Sequence, residues 1–465
     1  MQIMAVVLAA GQGKRMKSKL YKVLHPVCGK AMVGHVTDTL RSMNTEKIIV
    51  VVGHGAEAVR SYLGGSVEYA LQAEQLGTAH AVLQAKELLE NEDGTTIVIC
   101  GDTPLIREET LRSMTEWHGS RKAAATVLTA SMADPHGYGR IIRDATGNVT
   151  AIVEEKDCSE EERRIREINT GTYCFDNRKL FASLAKVDNH NAQNEYYLTD
   201  VIRILNEQGE RVEGYGLADP NEAHGVNDRA ALAVAEKLMR ERINLDHMRN
   251  GVTMINPEQT YIDRSVRIGE DTVLYPGTWL RGNTVVGRDC VIGPNSEISD
   301  SWIGDGVQVK QSVLKEAEVG DRSSVGPFAY LRAGSNIGSE VKIGDFVEIK
   351  NASIASGSKV SHLAYVGDAK IGKDVNVGCG AITVNYDGYR KHLTEVEDGA
   401  FIGSNVNLIA PVRIGKGAYV VAGSTITHNV DENDLAIARE RQINKPGYAE
   451  KMRNRIKVRN NEEKP

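Results

Sequence analysis

From about residue 260 to about residue 427 an aliphatic residue followed by glycine returns every six positions. The pairs are Ile268-Gly269, Val286-Gly287, Ile292-Gly293, Ile303-Gly304, Val319-Gly320, Val325-Gly326, Ile337-Gly338, Ile343-Gly344, Ile371-Gly372, Val377-Gly378 and Ile414-Gly415. Neither an α-helix nor an alternating strand has that period. A hexapeptide repeat predicts a parallel β-helix whose triangular rungs stack on one another. The aliphatic residue is expected to point inward, and the glycine to permit the turn at a corner. The first half follows a different rule. Apolar blocks at 3–10, 47–53 and 96–100 alternate with segments of helical character near 30–43, 56–63 and 78–90. That alternation predicts an α/β domain, a parallel sheet covered by helices, continuing through 123–130 and 171–175. Residues 228–249, rich in Ala, Leu, Glu and Arg, predict a long helix ending at Asn250-Gly251. The expected domains are therefore 1–227 (α/β), 228–250 (a linker helix) and 251–465 (the β-helix and its tail). The charged end, about 451–465, is expected to fray.

Length and composition narrow the class. At 465 residues, two or three domains are expected. A formal net charge of −6 gives no support for non-specific nucleic-acid binding. The six cysteines are scattered without a C-x-x-C pair, which reads as reduced thiols in a cytoplasmic protein and not as a disulfide frame or zinc site. The opening apolar run has no basic residue before it, so a buried strand fits better than a signal peptide. No stretch approaches the roughly 18 apolar residues of a membrane helix.

Chemistry concentrates in a few places. The first strand runs into Gly11-Gln12-Gly13-Lys14-Arg15. Glycines there let the backbone approach a phosphate, and Lys14, Arg15 and Lys22 follow within one loop's reach to neutralise a triphosphate. The loop is neither G-x-G-x-x-G nor a Walker loop, and a plain turn is the competing reading. Cys100-Gly101-Asp102 closes another strand. A carboxylate there can hold Mg²⁺ against phosphate oxygens or simply cap a helix.

LAAGQGKRM (8–16) resembles the sugar-nucleotide pyrophosphorylases. With Lys22-Val23-Leu24, Gln72, Gln75 to Ala79 and Cys100-Gly101-Asp102 it is similar to their uridylyltransferases. Gly137 to Arg140, Glu154, Asn169-Thr170-Gly171 and Gly225-Val226-Asn227 extend the likeness. The resemblance implies that Leu8, Ala9, Ala10, Gly11, Gln72, Gly77 and Thr78 hold a uridine nucleotide beside Cys100 and Gly101. It further implies that Arg15 and Lys22 stabilise phosphate charge and that Asp102 and Asn227 hold Mg²⁺. Gly139, Glu154 and Asn169 would contact the sugar. The family usually has an aromatic residue where this chain has Cys100.

In the second half, informative positions are those where the repeat fails. Lys359 to Asp368 (KVSHLAYVGD) and Asn385 to His392 (NYDGYRKH) break the period. A lone His362 is more often structural than catalytic, and an extended loop is often a tolerated insertion. However, Arg332, Lys350 and Tyr365 lie on nearby rungs, and loops leaving one face of a solenoid often bind ligands. An imidazole suits removal of a proton from an amine about to attack a thioester.

SHLAYVGD and NYDG, with LAAGQGKRM ahead of them, resemble the bacterial bifunctional N-acetylglucosamine-1-phosphate uridylyltransferase/glucosamine-1-phosphate acetyltransferase family over nearly the whole chain. The resemblance implies a Rossmann-like α/β nucleotide-binding domain followed by a left-handed parallel β-helix. By it, His362 is the general base, and Arg332, Lys350, Tyr365 and Asn376 bind the sugar phosphate. Cys379, Asn385, Tyr386, Ser404, Ala422 and Arg439 would lie along acetyl-CoA. Cys379 and Ala381 depart from the family's usual Ala and Thr. The implied reactions make UDP-N-acetylglucosamine, a cell-wall precursor, from glucosamine 1-phosphate, acetyl-CoA and UTP in a homotrimer. Competing readings are another sugar-nucleotide pyrophosphorylase with a regulatory β-helix, or a trimerisation scaffold. A γ-class carbonic anhydrase is disfavoured, because His362, His392 and His428 include no closely spaced pair.

Overall fold

A computed structural model describes residues 2–462, with side chains to 458. The chain divides into two compact units. One ends at Arg249 but also takes Tyr261–Ser265; the other comprises Asn250–Thr260 and the chain from Val266 onward. The helix expected at 228–250 spans Arg229–Arg249 and belongs to the first unit.

In the first unit seven strands form the main path of a twisted sheet. Their order across it is Val212–Gly216, Ala125–Ser131, Glu167–Asp176, Thr95–Cys100, Ile3–Ala9, Lys47–Val52, Glu68–Leu71. Ile3–Ala9 pairs in parallel with both neighbours and is almost wholly buried, as a continuous apolar run in a doubly covered sheet should be. The strand expected at 171–175 is longer, Glu167–Asp176, and runs antiparallel to its two neighbours. Its apolar residues fit either direction, so composition could not reveal this. The helix expected at 78–90 is two short helices, Thr78–Leu83 and Lys86–Leu89.

The second unit is three sheets of eleven, ten and nine strands, every ladder parallel, with each third strand returning to the same sheet. This is a parallel β-helix from Thr253 to Ala436. Aliphatic side chains stack inward along each sheet. In the eleven-stranded sheet the column reads Leu274, Ile292, Val309, Val325, Ile343, Val360, Val377, Ile402 and Val420, all buried. The charged end, expected to fray, carries the helix Tyr448–Glu462; residues 463–465 lie outside the described residues.

Most rung glycines have a different role from the one expected. Apart from Gly293 and Gly326, those of the hexapeptide pairs do not occupy the left-handed region. They are needed because the next rung's backbone passes too close for a side chain. A Cβ on Gly320 would sit 2.7 Å from the Gly338 carbonyl carbon, and one on Gly338 would sit 2.8 Å from the Ser356 nitrogen. Left-handed corners are instead made by residues such as Asp271, Asp289, Asn351 and Asp368. Gly320→Ala should therefore destabilise the β-helix by about 1–3 kcal/mol, because backbone cannot yield as a flexible side chain would. Chemical denaturation followed by circular dichroism checks this, and an unchanged midpoint would contradict it.

Candidate functional site

The first site lies at the carboxyl edge of the sheet. Strands Ile3–Ala9 and Thr95–Cys100 are adjacent, yet the chain proceeds from them to opposite sides of the sheet. That divergence opens a crevice of the kind in which α/β sheets bind ligands. It is a cleft of about 290 Å³. Leu8 to Gly11 line it from the first strand, Gln72, Gly77 and Thr78 from beyond the third, and Cys100, Asp102 and Lys22 from the centre. Val23, Gln75, Ala81 and Glu195 also line it, without having been assigned a role from sequence.

Two glycines make the cleft possible. Gly13 has a φ of 63°, and a Cβ there would meet the Lys22 Cβ at 2.6 Å, so its absence lets Lys22 into the cleft. Gly77 has a φ of 118° and lies against the Tyr196 backbone. The Gln72 amide donates to the Gly77 carbonyl at 3.1 Å, and the Thr78 hydroxyl accepts from the Leu198 N–H at 2.9 Å.

At the cleft's centre the Lys22 ammonium meets the buried Asp102 carboxylate and also donates to Asn227 Oδ1 at 3.2 Å. Arg15 donates to the same Asn227 oxygen at 2.9 Å. The Val226 N–H donates to the Asp102 carbonyl at 2.9 Å and fixes the two segments together. Asp102 and Asn227 thus present hard oxygen donors to one point. Such a pair suits a divalent cation whose shell is completed by phosphate oxygens and water. Among the described residues no group of three or more His, Cys, Asp or Glu side chains forms a metal cage.

The residues expected at the sugar also converge. The Asn169 N–H donates to the Gly139 carbonyl at 2.9 Å, and the space beside the Gly139 Cα is closed by Ile152 and Glu154. Asn169 donates to the Tyr173 hydroxyl at 2.6 Å and accepts from the Gly171 N–H at 3.0 Å. Burial pushes the Glu154 carboxyl above the usual carboxylate range, and the Asp157 and Asp200 carboxylates add to that. Burial likewise pushes the Cys100 thiol up to about 12, with the Asp102 charge beside it.

In the second unit the register makes a column. His362 closes the strand Lys359–His362. Ladder pairs Asn376–Lys359, Phe401–Asn376 and Tyr419–Phe401 put Cys379, Ser404 and Ala422 on successive rungs beyond His362. Rungs about 4.8 Å apart spread these positions over roughly 14 Å. Asp345 occupies the same column on the other side and pairs with His362 Nδ1. Asn376 is in register with Lys359 on the same ladder. Arg439 lies against Gly423, next to the far end of the column.

On the adjoining sheet Arg332 donates to Glu348 at 2.8 Å, and Glu348 is in register with Tyr365. Lys350 lies one rung from Arg332. The Lys391 ammonium beside it holds the Lys350 amine below its ordinary range. Lys391 was not picked out from sequence; the excursion at 385–392 brings it here. That excursion is a closed hairpin. Asp387 accepts from the Arg390 and Tyr389 N–H groups, both at 2.7 Å, and from His392; the Arg390 N–H first, then His392 and the Tyr389 N–H, pull its carboxyl down to about 2. The hydroxyl of Tyr386 donates to the Gly388 carbonyl at 2.6 Å, and the Asn385 amide donates to Asp368. The described residues contain no helix long and apolar enough to cross a membrane.

Fold and sites define a two-domain transferase, a nucleotidyl transferase domain followed by a hexapeptide transferase domain. Residues 4–219 match the Nucleotidyl transferase family, and residues 265–300 and 394–428 match the Bacterial transferase hexapeptide repeat. The chain is 60% identical over 448 residues to the bifunctional protein GlmU of Geobacillus sp., covering 96% of this chain and 98% of that protein. It is 61% identical over 451 residues to the bifunctional protein GlmU of Brevibacillus brevis, with coverage of 97% and 98%. To the protein of that name from Enterococcus faecalis it is 58% identical over 448 residues, with coverage of 96% and 98%. The chain belongs to the bifunctional GlmU family. Membership implies use of a divalent metal, which the Asp102 and Asn227 oxygens suit.

The Glu154 environment predicts a pH-dependent stability effect. A carboxyl raised in the folded state contributes stability below its unfolded value, and that contribution is lost as pH rises through the folded value. Glu154→Gln should therefore melt higher than the parent near pH 7, and the advantage should shrink toward about pH 4. Thermal unfolding at the two pH values measures the difference. Equal gains at both would refute the assignment.

Proposed function

We propose that the second unit transfers acetyl from acetyl-CoA to the amine of glucosamine 1-phosphate. The first unit then transfers uridylyl from UTP to the resulting N-acetylglucosamine 1-phosphate, releasing pyrophosphate. The observation that carries this reading is the column at His362. A base and a linear run of positions beyond it occupy consecutive rungs, and beside them Arg332 and Lys350 stand on consecutive rungs with Lys391 brought against Lys350 by the excursion. A scaffold alone has no need of this arrangement.

In acetyl transfer the cationic cluster holds the sugar phosphate, and Tyr365 and Asn376 orient the sugar. Acetyl-CoA lies along Cys379, Ser404 and Ala422, with Asn385, Tyr386 and Arg439 beside it. His362 takes the proton from the attacking amine as the nitrogen bonds to the acetyl carbon, and the CoA thiolate leaves. In uridylyl transfer Leu8 to Gly11, Gln72, Gly77 and Thr78 seat the nucleotide, while Gly139, Glu154 and Asn169 seat the acetylated sugar. Arg15 and Lys22 draw the two phosphates together against their repulsion, so alignment and charge neutralisation supply most of the rate. Mg²⁺, held by Asp102 and Asn227, would neutralise phosphate charge when bound. Six unpaired thiols suit a reducing cytoplasm.

The expected assembly is a homotrimer. The ten-stranded face exposes Trp279, Val313, Tyr330 and Ile382; the nine-stranded face exposes Trp302 among Arg267, Lys370, Glu395 and Arg413. Exposed apolar surface of that kind favours burial against another subunit.

Two measurements test the reading. His362→Ala should lose acetyl transfer, followed as free CoA thiol, and keep uridylyl transfer, followed as pyrophosphate. Asp102→Ala should do the reverse. Loss of both activities in either folded variant would break the separation of sites. Light scattering should give three times the chain mass, and a monomer with full acetyl transfer would contradict the trimer.

A further inference from the structure

The strand pair that carries His362 differs from its neighbours. Ser324–Val325 before it and Asn376–Val377 after it are two-residue strands, whereas Lys342–Asp345 and Lys359–His362 each run for four residues. The extension adds one register pair, Asp345 opposite His362. Gly344 permits it, because a Cβ there would overlap the Ser361 carbonyl oxygen. Backbone bonds hold both residues in place. The Leu363 N–H donates to the Asp345 carbonyl at 2.9 Å, and the Gly380 N–H donates to the His362 carbonyl at 3.3 Å. Within that frame the Asp345 carboxylate meets His362 Nδ1, and the contact draws the Asp345 carboxyl below its ordinary range. Lys342, on the same strand as Asp345, is the other charged group acting on that carboxylate.

We infer that Asp345 is a positioning residue for acetyl transfer: it accepts the Nδ1–H of His362 and so leaves Nε2 as the nitrogen that takes the proton. The inference rests on the reading of His362 as general base. Neutral imidazole carries one proton on either nitrogen, and the partner of one nitrogen decides which tautomer is present. A carboxylate only accepts, so it selects the Nδ1–H form and fixes the ring plane. The amine proton passes to Nε2 as the nitrogen–carbon bond forms. The carbon–sulfur bond then breaks, and the leaving thiolate takes that proton from Nε2. The Nδ1 proton stays on its nitrogen throughout. An exposed contact of this kind would contribute little to stability. The lengthened strands and Gly344 place it at the one imidazole the chemistry uses.

The test is Asp345→Asn in the full-length protein. Its amide can donate to Nδ1 and select the wrong tautomer. The kcat of acetyl transfer should fall about 100-fold while the KM for each substrate stays within about twofold and uridylyl transfer is unchanged. Asp345→Glu should recover part of the loss. Nitrogen-15 shifts of the His362 ring should report the Nδ1–H tautomer in the parent protein and lose it in the Asn variant. An unchanged kcat in Asp345→Asn would overturn the inference, as would parallel changes in KM and melting temperature, which mark a merely structural contact. If instead His362→Ala retains acetyl transfer, the reading of His362 itself fails.

Discussion

The second unit depends on one constraint, the close parallel stacking of backbone on backbone from coil to coil. Each residue's neighbours are those one coil away, so a constellation is assembled along a column and not along a stretch of sequence. The spacing is tight enough that Gly320 and Gly338 leave no room for a Cβ. In return the register is unambiguous. It delivers Asp345, His362, Cys379, Ser404 and Ala422 to successive rungs although no two are close in the chain. The excursion at 385–392 leaves that register intact, since Asn376 still pairs with Phe401 across it. It can do so because it closes on itself. Asp387 satisfies two backbone N–H groups and His392 locally, and only the base of the hairpin reaches back to the coil, through the Asn385 amide to Asp368.

The first unit solves a different problem. A nucleotide site must gather positive charge for phosphates without leaving that charge unbalanced in a partly enclosed cleft. Lys22, Arg15, Asp102 and Asn227 form one hydrogen-bonded knot from three separated segments. Each cation has an oxygen partner, and each partner lies at the mouth of the same crevice. Lys22 enters only because Gly13 lacks a side chain. The loop's glycines thus serve a neighbouring lysine as much as any ligand.

Much of this was legible in sequence, and the limits have physical causes. The inward aliphatic column follows from period alone, and buried Ile303, Val319 and Ile343 bear it out. The strand ending at Cys100-Gly101-Asp102 follows from an apolar block closed by a turn. The reason for most rung glycines did not follow, because close approach and positive φ leave the same signature. Neither did the antiparallel Glu167–Asp176, since strand direction is set by connection and not by composition. Lys391 and Asp345 were missed for a shared reason. Their partners Lys350 and His362 lie roughly a coil or more away in sequence, and the breaks in the period drew attention to residues within each break. Counting one coil back from His362 would have reached Asp345.

Cys100, which lines the cleft of the first unit, follows from the same physics. The Cys100 Sγ lies 3.9 Å from the Gly171 carbonyl, and a Cβ on Gly171 would be 3.4 Å from it. Burial and the Asp102 charge hold the thiol protonated, so it acts as a small apolar group with a weak donor and not as a nucleophile. The backbone at Gly101 is fixed independently, by donation from its N–H to the Leu8 carbonyl at 2.9 Å. An aromatic ring can therefore be exchanged for a thiol at residue 100 without disturbing Asp102, because main-chain bonds and the Lys22 pair set the carboxylate's place.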